Sequence, residues 1–318
     1  MSLELCVLGS GSSGNSSVLR VPNGAILIDA GLGPRVTEAR LKGTGLKLDD
    51  VRAICLTHLD HDHFNGNWIA TICQRGIRVF VNSHRLNELL RTTLVDEDRR
   101  THSRAFKSLV DTFGTSKAFE PIDGLAIRAI KLAHDRHGSH GFVIEGFGAR
   151  IGYATDLGHV PDGLIEHFQD VDLLALESNY DPDMQVNSPR PWFLKRRIMG
   201  GAGHLSNEQA FEAVRAILDR AQRVRGCLPS HIVLLHRSRQ CNCPHILRNL
   251  FHQDPRVAER LTLSDQHRRT HWLRPQTTGP RRGEQLMLEW SAKSGNYQAV
   301  RSRVQRRNNS CLTELGEV

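Results

Sequence analysis

Residues 51–66, VRAICLTHLDHDHFNG, constrain this chain more than any other stretch. Val51 to Leu56 is a short apolar run with β-branched members, which predicts a buried strand. It ends in six residues of which five can hold a metal: His58, Asp60, His61, Asp62 and His63. Imidazole and carboxylate suit zinc, manganese and iron, and a loop at a strand end can aim several of them inward together. A solvated polar loop is the plain alternative. These residues cannot close two metal shells alone, so partners must come from elsewhere.

The same arrangement recurs along the chain. Leu3 to Leu8 predicts a first strand running into the loop GSGSSGNSS, residues 9–17, whose glycines and serines allow tight turns and expose backbone N–H groups. A hairpin around Pro22-Asn23-Gly24 ends at Asp29, for which capping the Ala30-Gly31 turn is expected ahead of orienting a ligand histidine. A helical stretch, residues 67–75, and a strand, 77–81, precede a charged segment, 83–117, expected to form one or two surface helices. The strand 125–132 leads into His134, the strand 150–155 into Asp156, the strand 171–176 into Glu177 and the strand 232–235 into His236. Ser206 with Gln209 makes a capping box ahead of a helix carrying Phe211, Val214, Ile217, Leu218 and Ala221 on one face. His204 lies just before that start, where free N–H groups and partial positive charge would favour a phosphate. Further on, 247–251 predicts a helix, 260–264 a strand and 285–290 a last strand-like run, with a basic, poorly ordered tail beyond about residue 291.

Two groups of strands around a middle helical segment predict two packed sheets with helices outside. One such domain is expected over residues 1–275, with a basic C-terminal extension over 276–318. At 318 residues and 39% hydrophobic content the chain can bury a sizeable core. It has no run of about 18 apolar residues, and its opening MSLELCVLGS lacks a basic region followed by an apolar one. A soluble, cytoplasmic protein is the expectation. The odd count of seven cysteines fits a reducing compartment, and Cys241 and Cys243 are expected to be loop cysteines because no second pair stands at zinc-ribbon spacing. The net charge of +8 would attract a polyanion and so tilts the expected partner toward nucleic acid.

These residues resemble the metallo-β-lactamase superfamily, from about Leu3 to Leu273, through His58-Leu59-Asp60-His61-Asp62-His63 followed by Gly66. One place differs: Asp60 stands where the family motif has its second histidine. The YycJ/WalJ-like branch is the nearer likeness. It is similar in Gly9 to Asn15, in His134-Asp135 ahead of Gly141-Phe142, and in Tyr153-Ala154-Thr155-Asp156. Glu177-Ser178-Asn179, Gly203-His204-Leu205-Ser206-Asn207 and Leu235-His236-Arg237-Ser238-Arg239 complete the match.

The resemblance implies an α/β fold, the αββα four-layer sandwich with two mixed sheets, and two divalent metal ions at one edge, zinc or manganese with iron as a third option. By position it implies His58, Asp60 and His134 on one metal, Asp62, His63 and His236 on the other, and Asp156 bridging. Asp60 adds negative charge and oxygen character, which favours manganese or iron over a His-rich zinc site. The activity implied is phosphodiester hydrolysis, exonuclease-like, on DNA ahead of RNA. Asp62, His204 and Glu177 are the catalytic candidates, His204 donating to a phosphoryl oxygen or leaving group and Glu177 fixing its tautomer. Ser13, Asn15 and Asn179 are the candidate substrate contacts, the first two through loop amides. His61, His137 and His140 match nothing and are expected on the surface. Two other functions stay open: a small-molecule hydrolase for a thioester, lactone or cyclic phosphodiester, and a non-catalytic protein whose site Asp60 has broken. Only about twenty residues separate His134 from Asp156 and about eighty separate Asp156 from His236, too few for the extra domains of RNA-processing relatives.

Overall fold

A computed structural model describes residues 3–161 and 163–276. The expected strand over 285–290, the basic tail and Cys311 lie outside the described residues. Among the described residues thirteen strands build two sheets. The first holds β1 (Glu4–Gly9), β2 (Ser16–Val21), β3 (Gly24–Ile28), β4 (Val51–Cys55), β5 (Arg78–Asn82) and β6 (Val110–Phe113), side by side in chain order. The second holds β7 (Phe119–Ile122), β8 (Leu125–Leu132), β9 (Ser139–Gly146), β10 (Ala149–Ala154), β11 (Leu173–Glu177), β12 (His231–Leu235) and β13 (Leu261–Leu263), also in chain order across the sheet. Each sheet is mixed: β1 to β3 and β7 to β10 run antiparallel, while β3 to β6 and β10 to β13 run parallel.

Strand patterning explains the four layers. Every residue of β1, β11 and the end of β3 is buried, because side chains alternate between two covered faces. Leu5, Val7, Ile26 and Ile28 point between the sheets and meet Ile127, Phe142, Ile151 and Val233. Cys6, Leu8, Leu27 and Ile54 point outward and are covered by the helix Trp68–Arg75, through Trp68, Ile69 and Ile72. On the far side Leu174, Leu176, Ile232 and Leu234 are covered by the helix Asn207–Arg225. That helix opens on the predicted Ser206–Gln209 capping box.

The charged segment 83–117 departs from expectation: short helices Leu86–Arg91, Glu97–Thr101 and Ser103–Ser108 give way to strand β6. Val110 and Phe113 pair with Val79 and Asn82, so packing against an existing sheet edge decides what four residues of mixed polarity do. Among the described residues no helix is long and apolar enough to cross a membrane. Six cysteines are free thiols, and the buried Cys241 packs with Tyr180 and Ile198.

Candidate metal centre

The C-terminal ends of β3, β4, β8, β10, β11 and β12 meet at one edge of the sandwich, and each delivers an ionisable side chain there. Open α/β sheets place ligands at this end because the following loops converge. Three of the delivering residues, Asp29, Asp156 and His236, have left-handed backbones with φ of 61°, 54° and 51°. Such a turn costs a non-glycine residue about 1–3 kcal/mol. It swings the side chain off the strand direction and into the edge.

The His/Asp loop after β4 is fixed by backbone bonds to two neighbours. Asn15 N–H donates to Asp62 O at 2.7 Å and Ala30 N–H donates to His63 O at 2.8 Å. Gly31 makes this approach possible, since a Cβ there would lie 1.7 Å from the Asp62 carbonyl oxygen. Any side chain at position 31 would push Asp62 and His63 out of place.

Among four overlapping groups of ligand atoms in the described residues, each drawn within 4.8 Å, His58, Asp60 and His134 form one and Asp62, His63 and His236 another. Asp156 lies between them, its Oδ2 2.9 Å from His63 Nε2 and its Oδ1 3.8 Å from His134 Nε2. Asp60 Oδ2 is 3.8 Å from His58 Nε2 and 4.0 Å from His134 Nε2, which groups the aspartate with these two histidines. Its side chain is 40% exposed, against 14% for Asp62, which makes the first group the more open to solvent.

The donor chemistry fits metal ions. His134 Nδ1 donates to Gly203 O at 2.8 Å and His63 Nδ1 to Asp29 Oδ2 at 2.7 Å, which leaves Nε2 of each facing the site. Thr57 Oγ1 donates to the same Asp29 carboxylate, at 2.9 Å, and therefore accepts from His58 Nδ1, at 3.0 Å. His58 Nε2 is then left buried with no partner. An orphaned lone pair at full burial is costly unless something cationic meets it. Burial, reinforced by the charges of His63, His134 and His236, holds His58 well below its usual 6.5, so the ring is neutral and able to ligate. His236 goes the other way: burial opposes its charge, but Asp156, Asp62 and Glu177 outweigh it and raise it to about 10. The negative field that stabilises a proton there would stabilise a divalent cation equally well.

Beside these groups stands a dyad. His204 Nδ1 donates to Glu177 Oε1 at 2.7 Å, and Glu177 is fully buried. Burial alone would raise Glu177, yet His204 and His236 draw it below 4.5. The second Glu177 oxygen accepts from Leu157 N–H at 2.8 Å, which locks the carboxylate. His204, Asp156, Asp60 and His236 line one cleft of ≈ 370 Å³.

Several expectations are corrected by this geometry. Ser13 is exposed and its N–H donates to Gln266 Oε1 at 2.8 Å, so it presents no amide to the cleft, whose lining includes Ser12 instead. Asn15 is buried; its Oδ1 accepts from Gly11 N–H, and its Nδ2 lies 2.9 Å from His63 Nε2 and 3.3 Å from Asp62 Oδ2, against the candidate ligand atoms themselves. Gly14 N–H is bonded as well, to Gly11 O. Asn179 does line the cleft, while its Nδ2 donates to His236 O at 2.7 Å. The start of the helix Asn207–Arg225 offers no free amides at Asn207 or Gln209, which donate to Tyr180 O and Ser206 Oγ. His204 reaches the site by its side chain alone. His61 and His137 are exposed as expected, but His140 is buried, its N–H bonded to Thr57 O and its ring edge-on to Phe113. Asp29 orients His63 rather than capping a turn. Thr57 and Gln266 carried no sequence signal; Thr57 was marked only by its place next to His58.

Comparison with known proteins agrees with this architecture. Residues 25–232 match the Beta-lactamase superfamily domain. The chain is 26% identical over 249 residues to exodeoxyribonuclease YycJ of Bacillus anthracis, covering 78% of this chain and 87% of that protein. It is 27% identical over 220 residues to exodeoxyribonuclease WalJ of Streptococcus pneumoniae serotype 2, covering 69% and 78%. Among solved structures, the metallo-β-lactamase fold protein YhfI from Bacillus subtilis aligns over 85% of this chain and 99% of its own, with a TM-score of 0.61 at 15% identity. With the family match spanning well over half its length and the two-sheet sandwich carrying its His/Asp cluster at one edge, the chain belongs to the metallo-β-lactamase superfamily of metal-dependent hydrolases.

Proposed function

We propose that this protein is a metal-dependent phosphodiesterase that removes nucleotides from DNA ends. His58, Asp60 and His134 would hold one divalent ion, Asp62, His63 and His236 a second, and Asp156 would reach both. Such a pair of ions, when bound, supplies Lewis acidity and makes water a competent nucleophile at neutral pH. Asp60 in place of an imidazole favours manganese or iron at the first position over zinc.

The observation that carries the reading is His204 on the cleft wall, held by the buried Glu177 carboxylate behind it. Glu177 keeps the proton of His204 on Nδ1, so Nε2 is the nitrogen left for a substrate oxygen. In its doubly protonated form, with Nδ1–H held by the Glu177 carboxylate, His204 donates the Nε2 proton to a phosphoryl oxygen or to the leaving one. A general acid of this kind is worth about 10²- to 10⁴-fold in rate. Support for DNA as the substrate comes from the two exodeoxyribonuclease relatives and from the net charge of +8.

The test is incubation of the metal-loaded protein with end-labelled duplex and single-stranded DNA, beside a small phosphodiester such as bis(p-nitrophenyl) phosphate. Wild type should release nucleotides, Asp62→Ala should lose activity together with metal, and His204→Ala should lose turnover while keeping its metal. Hydrolysis of neither substrate, or equal cleavage by Asp62→Ala, would refute the proposal.

A further inference from the structure

Beyond the ligand cluster, the cleft has one wall with an unusual outer face. The helix Trp192–Met199 lines the cleft through Leu194, Arg197 and Ile198. Leu194 and Ile198, four residues apart and so on one face, pack inward against Tyr180 and Cys241. Trp192 and Phe193 point away from that core and are 71% and 73% exposed, the highest values among the exposed large hydrophobic side chains of the described residues. Two adjacent bare aromatic rings beside a candidate active site call for an occupant.

The surrounding charge identifies its chemistry. Residues 190–202 contain Arg190, Lys195, Arg196 and Arg197 and no carboxylate. Arg197 is matched by Asp135. Arg190, which lines the cleft, is held by three neutral oxygens, of Gln240, Gln185 and Ser238, and keeps its charge uncompensated. Arg196 is exposed. Flat apolar surface flanked by unmatched cations complements a chain with open π-faces and one negative charge per unit, which is a nucleic-acid strand with unpaired bases. Interior duplex pairs have no open face to offer, since both sides of each base are already stacked.

We propose that Trp192 and Phe193 form a stacking platform for the unpaired terminal bases of a DNA strand, with Arg190 and Arg196 on its phosphates. The strand end is thereby led along the wall formed by Leu194 and Ile198 to the metal-ligand cluster. This inference rests on the reading of the site as a DNA phosphodiesterase and adds to it a preference for frayed or overhanging ends.

The full-length protein should be titrated against fluorescein-labelled oligo(dT) and a blunt duplex by anisotropy, in wild type and in Trp192→Ala/Phe193→Ala. Bis(p-nitrophenyl) phosphate turnover serves as a measure of the centre alone. Each stacked base is worth about tenfold to a hundredfold in binding. The double variant should lose at least tenfold affinity for oligo(dT), lose little for the blunt duplex and keep wild-type turnover of the small substrate, while Trp192→Phe should restore most of the binding. Equal oligo(dT) affinity in wild type and double variant would overturn the platform, as would wild-type protein that binds no oligo(dT) or that binds an RNA strand in preference. Self-association abolished by the same double variant would overturn it in favour of a contact between copies. Oligo(dT) binding by wild type with hydrolysis of neither DNA nor the small phosphodiester would instead refute the phosphodiesterase reading and leave the platform standing.

Discussion

Replacing Asp29 by Asn isolates the contribution of a residue that never touches the cleft. Its carboxylate is fully buried and receives three donors: His63 Nδ1 at 2.7 Å, Thr57 N–H at 2.8 Å and Thr57 Oγ1 at 2.9 Å. Asn preserves the size of the side chain and tolerates the left-handed backbone at φ 61°. It converts one acceptor oxygen into an NH₂ group, so at least one of the three donors must face another donor. A hydrogen bond to a charged group contributes about 1.5–3 kcal/mol. Loss of the partner that aims a ligand histidine typically weakens metal binding about 10- to 100-fold, which corresponds to about 1.4–2.8 kcal/mol. The two routes to the magnitude agree. Competition between the protein and a chromophoric chelator for manganese or zinc, with metal content checked by mass spectrometry, measures the change directly. Asp29→Ala should fare worse, because a left-handed alanine adds about 1–2 kcal/mol of backbone cost. Metal affinity of Asp29→Asn within twofold of wild type would show that His63 is positioned by packing alone.

Three further outcomes are expected. Asp60→His should move the metal preference toward zinc, read as the ratio of zinc to manganese retained in competition dialysis; an unchanged ratio would remove Asp60 from the ligand set. Arg225→Met should destabilise the fold by about 3–5 kcal/mol in urea unfolding, because Arg225 and Asp172 pair at 2.8 Å with 2% and 1% of their side chains exposed. Asp254 is held below 3.8 by its hydrogen bonds to Arg256, so the stability it contributes is present above about pH 3.8 and is lost as pH falls through its lower folded value. Asp254→Asn keeps the acceptor that caps the Pro255–Ala258 turn, and its melting temperature should fall below wild type at pH 7 by an amount reflecting under about 1 kcal/mol. That gap should close in acid, and a gap that persists at pH 2 would assign the effect to something other than charge.

The candidate ligands were legible because their signal is local. The strand-end position of each and the crowding of His58, Asp60, His61, Asp62 and His63 into a single loop mark a candidate metal site, while the exclusion of His61 and the division into two ligand groups come from the family resemblance. The helix from Asn207 was legible for the same reason, with cap and apolar stripe adjacent in sequence. What was not legible depends on distance along the chain. Asp29 and His63 are 34 residues apart, and only the parallel pairing of β3 with β4 brings them to 2.7 Å. His140 reads as one more polar histidine until β9 lays it over Thr57 and Phe113. Strand β6 is four residues of mixed polarity at the end of a helical segment, and its conformation is decided by the sheet edge it joins. The amides of Ser13 and Asn15, read as phosphate contacts, donate to Gln266 Oε1 and to Asp62 O, the first of these partners 253 residues away.

The division of the ligand groups between the two sheets has a mechanical consequence. The loop after β4 belongs to the first sheet, and His134, Asp156 and His236 extend from the second. Both positions proposed above therefore join the two halves, and a bound ion would act as a clasp across an edge already bridged by the hydrogen bonds of His236 N–H to Ser10 Oγ and of His140 N–H to Thr57 O. An ion at one hundred times its dissociation constant stabilises a fold by about 2.7 kcal/mol. Here that gain would resist the parting of one sheet from the other, so the edge that hosts the chemistry would also set how firmly the two halves of the molecule stay closed.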